Sequence, residues 1–369
     1  MKLTKFFAFA FAAFAVAACE PIEKPQGGGD DPKPTPTGDI TLTADKTAVA
    51  IGEEITFTVT DAENQDVTSQ ANIYDGDFNE VGSKVTLNES GSYSFFATLG
   101  SKNSNYVTIV VMASVPEVPE DEQPENFVFN HRALVIDQTG VNCGYCPQAT
   151  EQLKALENTE WHKYYNEVTC HAGSYAGGDP GNSAAANALN QFQSGMISGY
   201  PCILVNFYTE TESYAKKYIV TALQNNIKQD GADVGISLSV DKGTNAVSCS
   251  AQIKAAVSAE YKVNAWLLEN NIYSPNQSNA TKDYHYYYNH ALRKTSESVS
   301  SADFSGKSIG MLYIGETYNY NCTIPVDSSW EMNNLEVLIV VTARNGSGSW
   351  DVVNTAVCGV GEETPFAYI

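Results

Sequence analysis

The chain has 369 residues, 43 acidic and 21 basic, for a formal net charge of −22, and 43% of it is hydrophobic. That length exceeds one ordinary core and predicts two or three domains. The acidic balance repels phosphate backbones and anionic surfaces, so it argues against nucleic acid as a partner and requires any membrane attachment to come from an anchor.

The anchor is the first element. Lys2 and Lys5 precede the apolar run Phe6 to Val16, which is too short to span a bilayer and ends in Val16-Ala17-Ala18-Cys19. This stretch resembles a bacterial lipobox. The resemblance implies that residues 1–18 are a signal peptide of lipoprotein type and that Cys19 carries the lipid. Glu20 follows, with no aspartate to signal inner-membrane retention, which favours the outer membrane, on either its periplasmic or its cell-surface face. Such a compartment permits disulfides. Residues 19–38 follow as a tether; Pro21 to Gly38 alone holds five prolines and four glycines and cannot bury a core.

From residue 39 to 113 short alternating runs such as Ile55-Thr56-Phe57-Thr58-Val59 are separated by Gly, Asp and Asn turns, the pattern of a β-sandwich. The strands Gly52 to Val59 and Gly91 to Ala97 resemble those of bacterial Ig-like modules, which implies a spacer or a binding module. An acidic, proline-rich linker, residues 114–126, separates this from a central domain, residues 127–231.

The central domain opens with the β-branched run Ala133 to Ile136, then Asp137-Gln138-Thr139-Gly140-Val141-Asn142-Cys143-Gly144-Tyr145-Cys146-Pro147, then an amphipathic helix with Ala149, Leu153 and Leu156 on one face. A strand is predicted at Val168 to His171, an alanine-rich helix at Ser183 to Met196, a strand at Cys202 to Phe207 after Gly199-Tyr200-Pro201, and a last helix at Glu212 to Lys228. This alternation predicts an α/β domain. Residues 232–369 return to a period of two, as in Val234, Ile236, Leu238 and Val240, and predict a second β-sandwich. The fold class expected is therefore multidomain α+β.

The chemistry concentrates at the cysteine pair. A helix start directs unpaired N–H groups and partial positive charge at the first sulfur, so Cys143 is the candidate nucleophile and Cys146 the resolving thiol. The dipole contributes roughly 0.3 to 1 kcal/mol, less than one pKa unit, which predicts a moderately acidic thiol. No second CxxC or close Cys/His pair completes a zinc site, so no metal and no cofactor is expected. His171 and Asp179 are two ligands without a third and read as a turn histidine and its neighbour. Besides Cys19 seven cysteines remain; one at least is free or pairs outside the chain. Cys170 and Cys202 read either as buried small hydrophobes or as thiols that tune or join the redox site, and among Cys249, Cys322 and Cys358 any one pair can staple the C-terminal sandwich. The cluster Tyr284 to Tyr288 suits stacking on sugar or peptide, and strand alternation explains it equally well.

Asp137, the two cysteines and Gly199-Tyr200-Pro201 together resemble the thioredoxin pattern. That resemblance implies a thioredoxin-like central domain, with Asp137 assisting deprotonation of Cys146, Pro201 as a cis-proline beside the disulfide, and Gly144, Tyr145 and Tyr200 as substrate contacts. The Gly144-Tyr145 dipeptide departs from known reducing and oxidising members, so redox direction stays open. With the lipobox, the Cys143 motif, Gln277 and the run His290-Ala291-Leu292-Arg293, the chain from about Asn126 onward is similar to the outer-membrane-protein-28-related lipoproteins, a family that implies location better than activity. Two functions fit: an envelope thiol-disulfide oxidoreductase acting on proteins or peptides, or a structural or interaction lipoprotein whose CxxC is a static staple.

Overall fold

The computed structural model describes residues 38–112, 116–243, 245–297, 299–300 and 302–369. The lipobox and Cys19 lie outside the described residues.

The N-terminal part is built from two sheets. Three strands, Ile40–Ala44, Glu54–Asp61 and Lys84–Thr86, form one; Ala48–Ala50, Val107–Met112, Gly91–Leu99, Asn72–Asp75, Glu80–Val81 and Lys102–Asn103 form the other. In Glu54–Asp61 the alternate residues Ile55, Phe57 and Val59 are buried, because successive side chains of a strand leave on opposite faces. They meet Phe95, Ile109 and Val111 from the second sheet in one apolar cluster.

The remainder is dominated by a nine-stranded sheet. Thr209–Glu210, Cys202–Val205, Ala133–Thr139, Tyr165–His171, Ala291–Thr295, Ala259–Glu269, Leu335–Arg344 and Trp350–Gly359 lie in that order, and Lys307–Leu312 also pairs with Ala259–Glu269. Every residue of Ala133–Thr139 is buried, as expected for a strand covered on both faces. Ala133 and Val135 face the helices Cys146–Glu157 and Lys216–Asn226, and Leu134 and Ile136 face the helix Ala184–Phe192. That third helix is started by Ser183, whose side chain accepts from the Ala186 N–H. On the C-terminal half of the sheet a four-stranded sheet, Thr317–Pro325, Ala246–Ala255, Val234–Lys242 and Glu363–Thr364, closes over a core that includes Val240, Ile253, Tyr261 and Val341.

This architecture corrects the expected fold class. The chain is mostly β, with only three α-helices among the described residues, and a separate central thioredoxin-like α/β domain is not shown. A separate domain would leave Tyr165–His171 as an open edge with unpaired N–H and C=O groups. That edge is instead bridged in parallel, Thr169 opposite Ala291, and the sheet runs on into the C-terminal strands. Among those described residues no helix is long and apolar enough to cross a membrane.

Residues after Pro116 dock on the C-terminal sheet through Lys254. Its ammonium, on a side chain 4% exposed, pairs with Asp121 Oδ2 (2.8 Å) and donates to the Pro124 carbonyl (2.6 Å). It also lies 4.9 Å from the centre of the Phe127 ring. Lys254→Ala leaves Asp121 without its cation, and the expected cost is about 3 kcal/mol. The expected readouts are a lower thermal midpoint and faster proteolysis within residues 116–126, measured side by side with wild type.

Candidate functional site

The cysteine turn begins where the central strand Ala133–Thr139 ends. Cys143 N–H donates to the Gly140 carbonyl (2.9 Å), and Asn142 N–H to the Tyr175 carbonyl (3.0 Å). Gly140 has to be glycine: a Cβ there would sit 2.7 Å from the Tyr175 carbonyl carbon and oxygen. The helix starts at Cys146, with Pro147 in its first turn, where a missing N–H costs nothing. Cys143 thus stands three residues before the helix and is joined to Cys146 by a disulfide.

Both cysteines are only 2% exposed, because a distant segment covers the turn. Gln277 Nε2 donates to the Cys143 carbonyl (3.2 Å), Ser278 N–H to the Val141 carbonyl (2.8 Å) and Asn279 Nδ2 to the Gly144 carbonyl (3.2 Å). The cover fits closely: a Cβ on Gly144 would lie 2.7 Å from Asn279 Nδ2. Gln277 is held in turn by the Tyr288 hydroxyl, which donates to its Oε1 at 2.8 Å. The Tyr288 ring packs on His171 with 4.1 Å between centroids, and His171 Nδ1 is 2.9 Å from Asp179 Oδ2. That same carboxylate accepts from Val141 N–H (2.7 Å) and, through Oδ1, from Gly181 N–H (2.8 Å). Burial alone would raise the Asp179 carboxyl; His171 and the two N–H groups outweigh it and hold the carboxyl below its ordinary value.

Beside Cys146 lies a cavity of about 70 Å³ lined by Asp137, Cys146, Glu167, His171, Gln277 and His290, among others. Asp137 is 2% exposed, and its Oδ1 has no hydrogen-bond partner. Burial first, and the charge of Glu167 second, push its carboxyl well above the usual range. Burial likewise lifts Glu167 to about 7 against the opposing pull of His290. Burial disfavours charge on His290, yet Glu336, whose Oε1 is 2.6 Å from Nδ1, overrides it and raises the imidazole to about 9.

The remaining expected site residues fall as follows. The Tyr200–Pro201 peptide is cis. Tyr200 is half-buried, and its hydroxyl accepts from Asn190 Nδ2 (2.6 Å) in a network that continues to Gln138 (2.7 Å). Gly144 lies under Asn279. Tyr145, 66% exposed, is the one of the three expected substrate contacts that faces solvent freely. Cys170 and Cys202 flank Gln138 on either side; their sulfurs contact the Ala186 carbonyl and Glu210, and burial pushes the Cys202 thiol up to about 12. The Tyr284 to Tyr288 cluster is a short 3-10 turn followed by a two-residue strand, not a strand throughout. Sequence reasoning missed the roles of Ser278, Asn279 and Tyr288 in the cover, that of Glu167 at the cavity and that of Glu336 as the partner of His290. His171 and Asp179 are a buried pair behind the turn, a role that their eight-residue spacing does not reveal. Among the described residues no group of three or more His, Cys, Asp or Glu is placed to hold a metal.

The fold and site define a mostly-β protein with a covered CxxC disulfide at one end of a long sheet. Residues 189–362 match the family model described as outer membrane protein Omp28. Over those residues, which include Gln277 and His290 to Arg293 but not the cysteine turn, this match shows the Omp28-type resemblance read in the sequence, and the location is the outer membrane. Of solved structures, HBP35 of Porphyromonas gingivalis is similar in fold, with a TM-score of 0.52 and 17% identity over 64% of this chain and 77% of that one. A domain of the outer membrane lipoprotein Omp28 from the same organism aligns at 14% identity over 35% of this chain and 96% of its own, with a TM-score of 0.24. No curated protein matches.

A carboxyl whose pKa is raised by folding stabilises the fold below its unfolded pKa, and that contribution is lost as pH rises towards the folded value. Asp137→Asn removes the ionisation. Its stability relative to wild type is therefore expected to be flat below about pH 4, the unfolded aspartate value, and to improve steadily above it. Denaturant midpoints of the two proteins at pH 4 and pH 8 check this.

Proposed function

We propose that this outer-membrane protein is a lipoprotein anchored through Cys19, after removal of residues 1–18, and that it acts as a structural or interaction protein whose Cys143–Cys146 disulfide is a covered staple. The observation that carries this reading is the burial of both cysteines beneath Gln277, Ser278 and Asn279. Thiol-disulfide exchange needs an attacking sulfur in line with the bond, and the folded cover excludes a protein substrate from that approach. In this reading the exposed Tyr145 ring is available to an envelope protein or peptide as an aromatic contact, and exchange chemistry is secondary.

A second reading is favoured by the cavity at Cys146. Once the cover lifts, an envelope thiolate attacks Cys143 Sγ, the Cys143–Cys146 bond breaks, and the departing Cys146 thiolate takes the proton held by Asp137. The substrate thiol is thereby joined to Cys143 in a mixed disulfide. Cys146 then either reforms the original bond or stays reduced while a second substrate thiol releases Cys143. Pro201 is the residue this reading assigns to aligning the substrate.

Trapping distinguishes the two. Cys146→Ser in cells is expected to yield no mixed disulfides beyond those of the Cys143→Ser, Cys146→Ser double variant; envelope proteins captured through Cys143 would overturn the staple reading in favour of exchange. In the purified protein, Gln277→Ala with Asn279→Ala removes two hydrogen bonds worth about 1 kcal/mol each. Reduction of the disulfide by dithiothreitol is then expected to be roughly thirtyfold faster than in wild type.

A further inference from the structure

The C-terminal sandwich holds three thiols, Cys249, Cys322 and Cys358, which the structure shows reduced. Cys249 on Ala246–Ala255 stands directly opposite Cys322 on Thr317–Pro325 in antiparallel register. The ladder bonds Val326 N–H to the Asn245 carbonyl and Ala255 N–H to the Glu316 carbonyl, 2.9 Å each, set the alternation. Counted along it, Cys249 and Cys322 are a hydrogen-bonded pair, for which the Cα separation is about 5.5 Å. A disulfide requires roughly 4.4 to 6.8 Å. Cys358 stands on Trp350–Gly359 in the other sheet. Its ladder partner is Val337, so it stands in register with neither Cys249 nor Cys322.

We propose that Cys249 and Cys322 are a second disulfide site, closed across two neighbouring strands by an external disulfide compound of the envelope. Cys322 is partly exposed and Cys249 is buried, so the order of events follows from access. The Cys322 thiolate attacks the external disulfide, forms a mixed disulfide and releases one thiol of the oxidant. Cys249 then loses its proton and attacks Cys322 Sγ, forming the Cys249–Cys322 bond and releasing the second thiol. Two protein thiols are oxidised and one external disulfide is reduced to two thiols. The neighbouring Cys322 thiol, followed by burial, holds the Cys249 thiol well above its ordinary value, so closure is slow and accelerates with rising pH. Such a bond joins Ala246–Ala255 to the sheet's edge strand Thr317–Pro325, independently of whether the Cys143–Cys146 bond turns over.

The test uses the full-length protein, reduced, refolded and exposed to oxidised glutathione, then alkylated in denaturant without reductant and digested for mass spectrometry. The expected result is a peptide linking Cys249 to Cys322, two hydrogens lighter than its reduced parts, with Cys358 alkylated. Alkylation of both Cys249 and Cys322, or a link from either to Cys358, would overturn the proposal. Cys322→Ser is expected to leave Cys249 and Cys358 alkylated separately; a link between those two would also overturn it. Mapping the wild-type chain needs no variant to fold.

Discussion

Three backbone carbonyls of the cysteine turn, those of Val141, Cys143 and Gly144, find their donors on residues 277–279. On a free turn they would bond to water, and the disulfide would be open to attack. Here the partners come from the far side of the chain, and both sulfurs lose access as the price of satisfying those groups. The cover is itself supported from behind, Gln277 by Tyr288, Tyr288 by the His171 ring, and His171 by Asp179, which returns to the turn at Val141 N–H. The support is thus a closed circuit, and displacing any one member exposes polar groups in the others.

The same burial sets the electrostatics. With the turn closed, Asp137 is almost without solvent and has no hydrogen-bond partner at Oδ1, and burial pushes its carboxyl well above the usual range. Glu167 and His290 share the cavity with Cys146, and His290 is paired with Glu336. The buried Asp137 acid therefore weighs against the closed fold as pH rises, and only the exchange reading gives it a task, that of supplying a proton to Cys146 once the cover lifts.

Local elements were legible in the sequence; their assembly was not. The apolar run at Ala133 and the i, i+4, i+7 spacing of Ala149, Leu153 and Leu156 place a strand and a helix where they stand, because each depends on neighbours a few residues away. The expected separate α/β domain failed because the bridge between Thr169 and Ala291 joins segments far apart in the chain, and no short-range pattern records which edge a strand will meet. The cover failed to show for a related reason. Gln277, Ser278 and Asn279 look like an ordinary polar turn, and their task depends on carbonyls of a turn more than a hundred residues earlier. The cysteine pair in the C-terminal sandwich is an intermediate case: the sequence restricts the choice to three residues, and the strand register selects two of them.

The central claim is that the folded chain itself withholds the Cys143–Cys146 disulfide from solution. The most direct measurement is the rate of its reduction by dithiothreitol in the native protein, compared with the same bond in the urea-unfolded chain. An opening cost of about 3 kcal/mol, the size of a local unfolding step, predicts a native rate about a hundredfold lower that rises with sub-denaturing urea. Equal rates in the native and unfolded chains, with no dependence on urea below the unfolding transition, would contradict it.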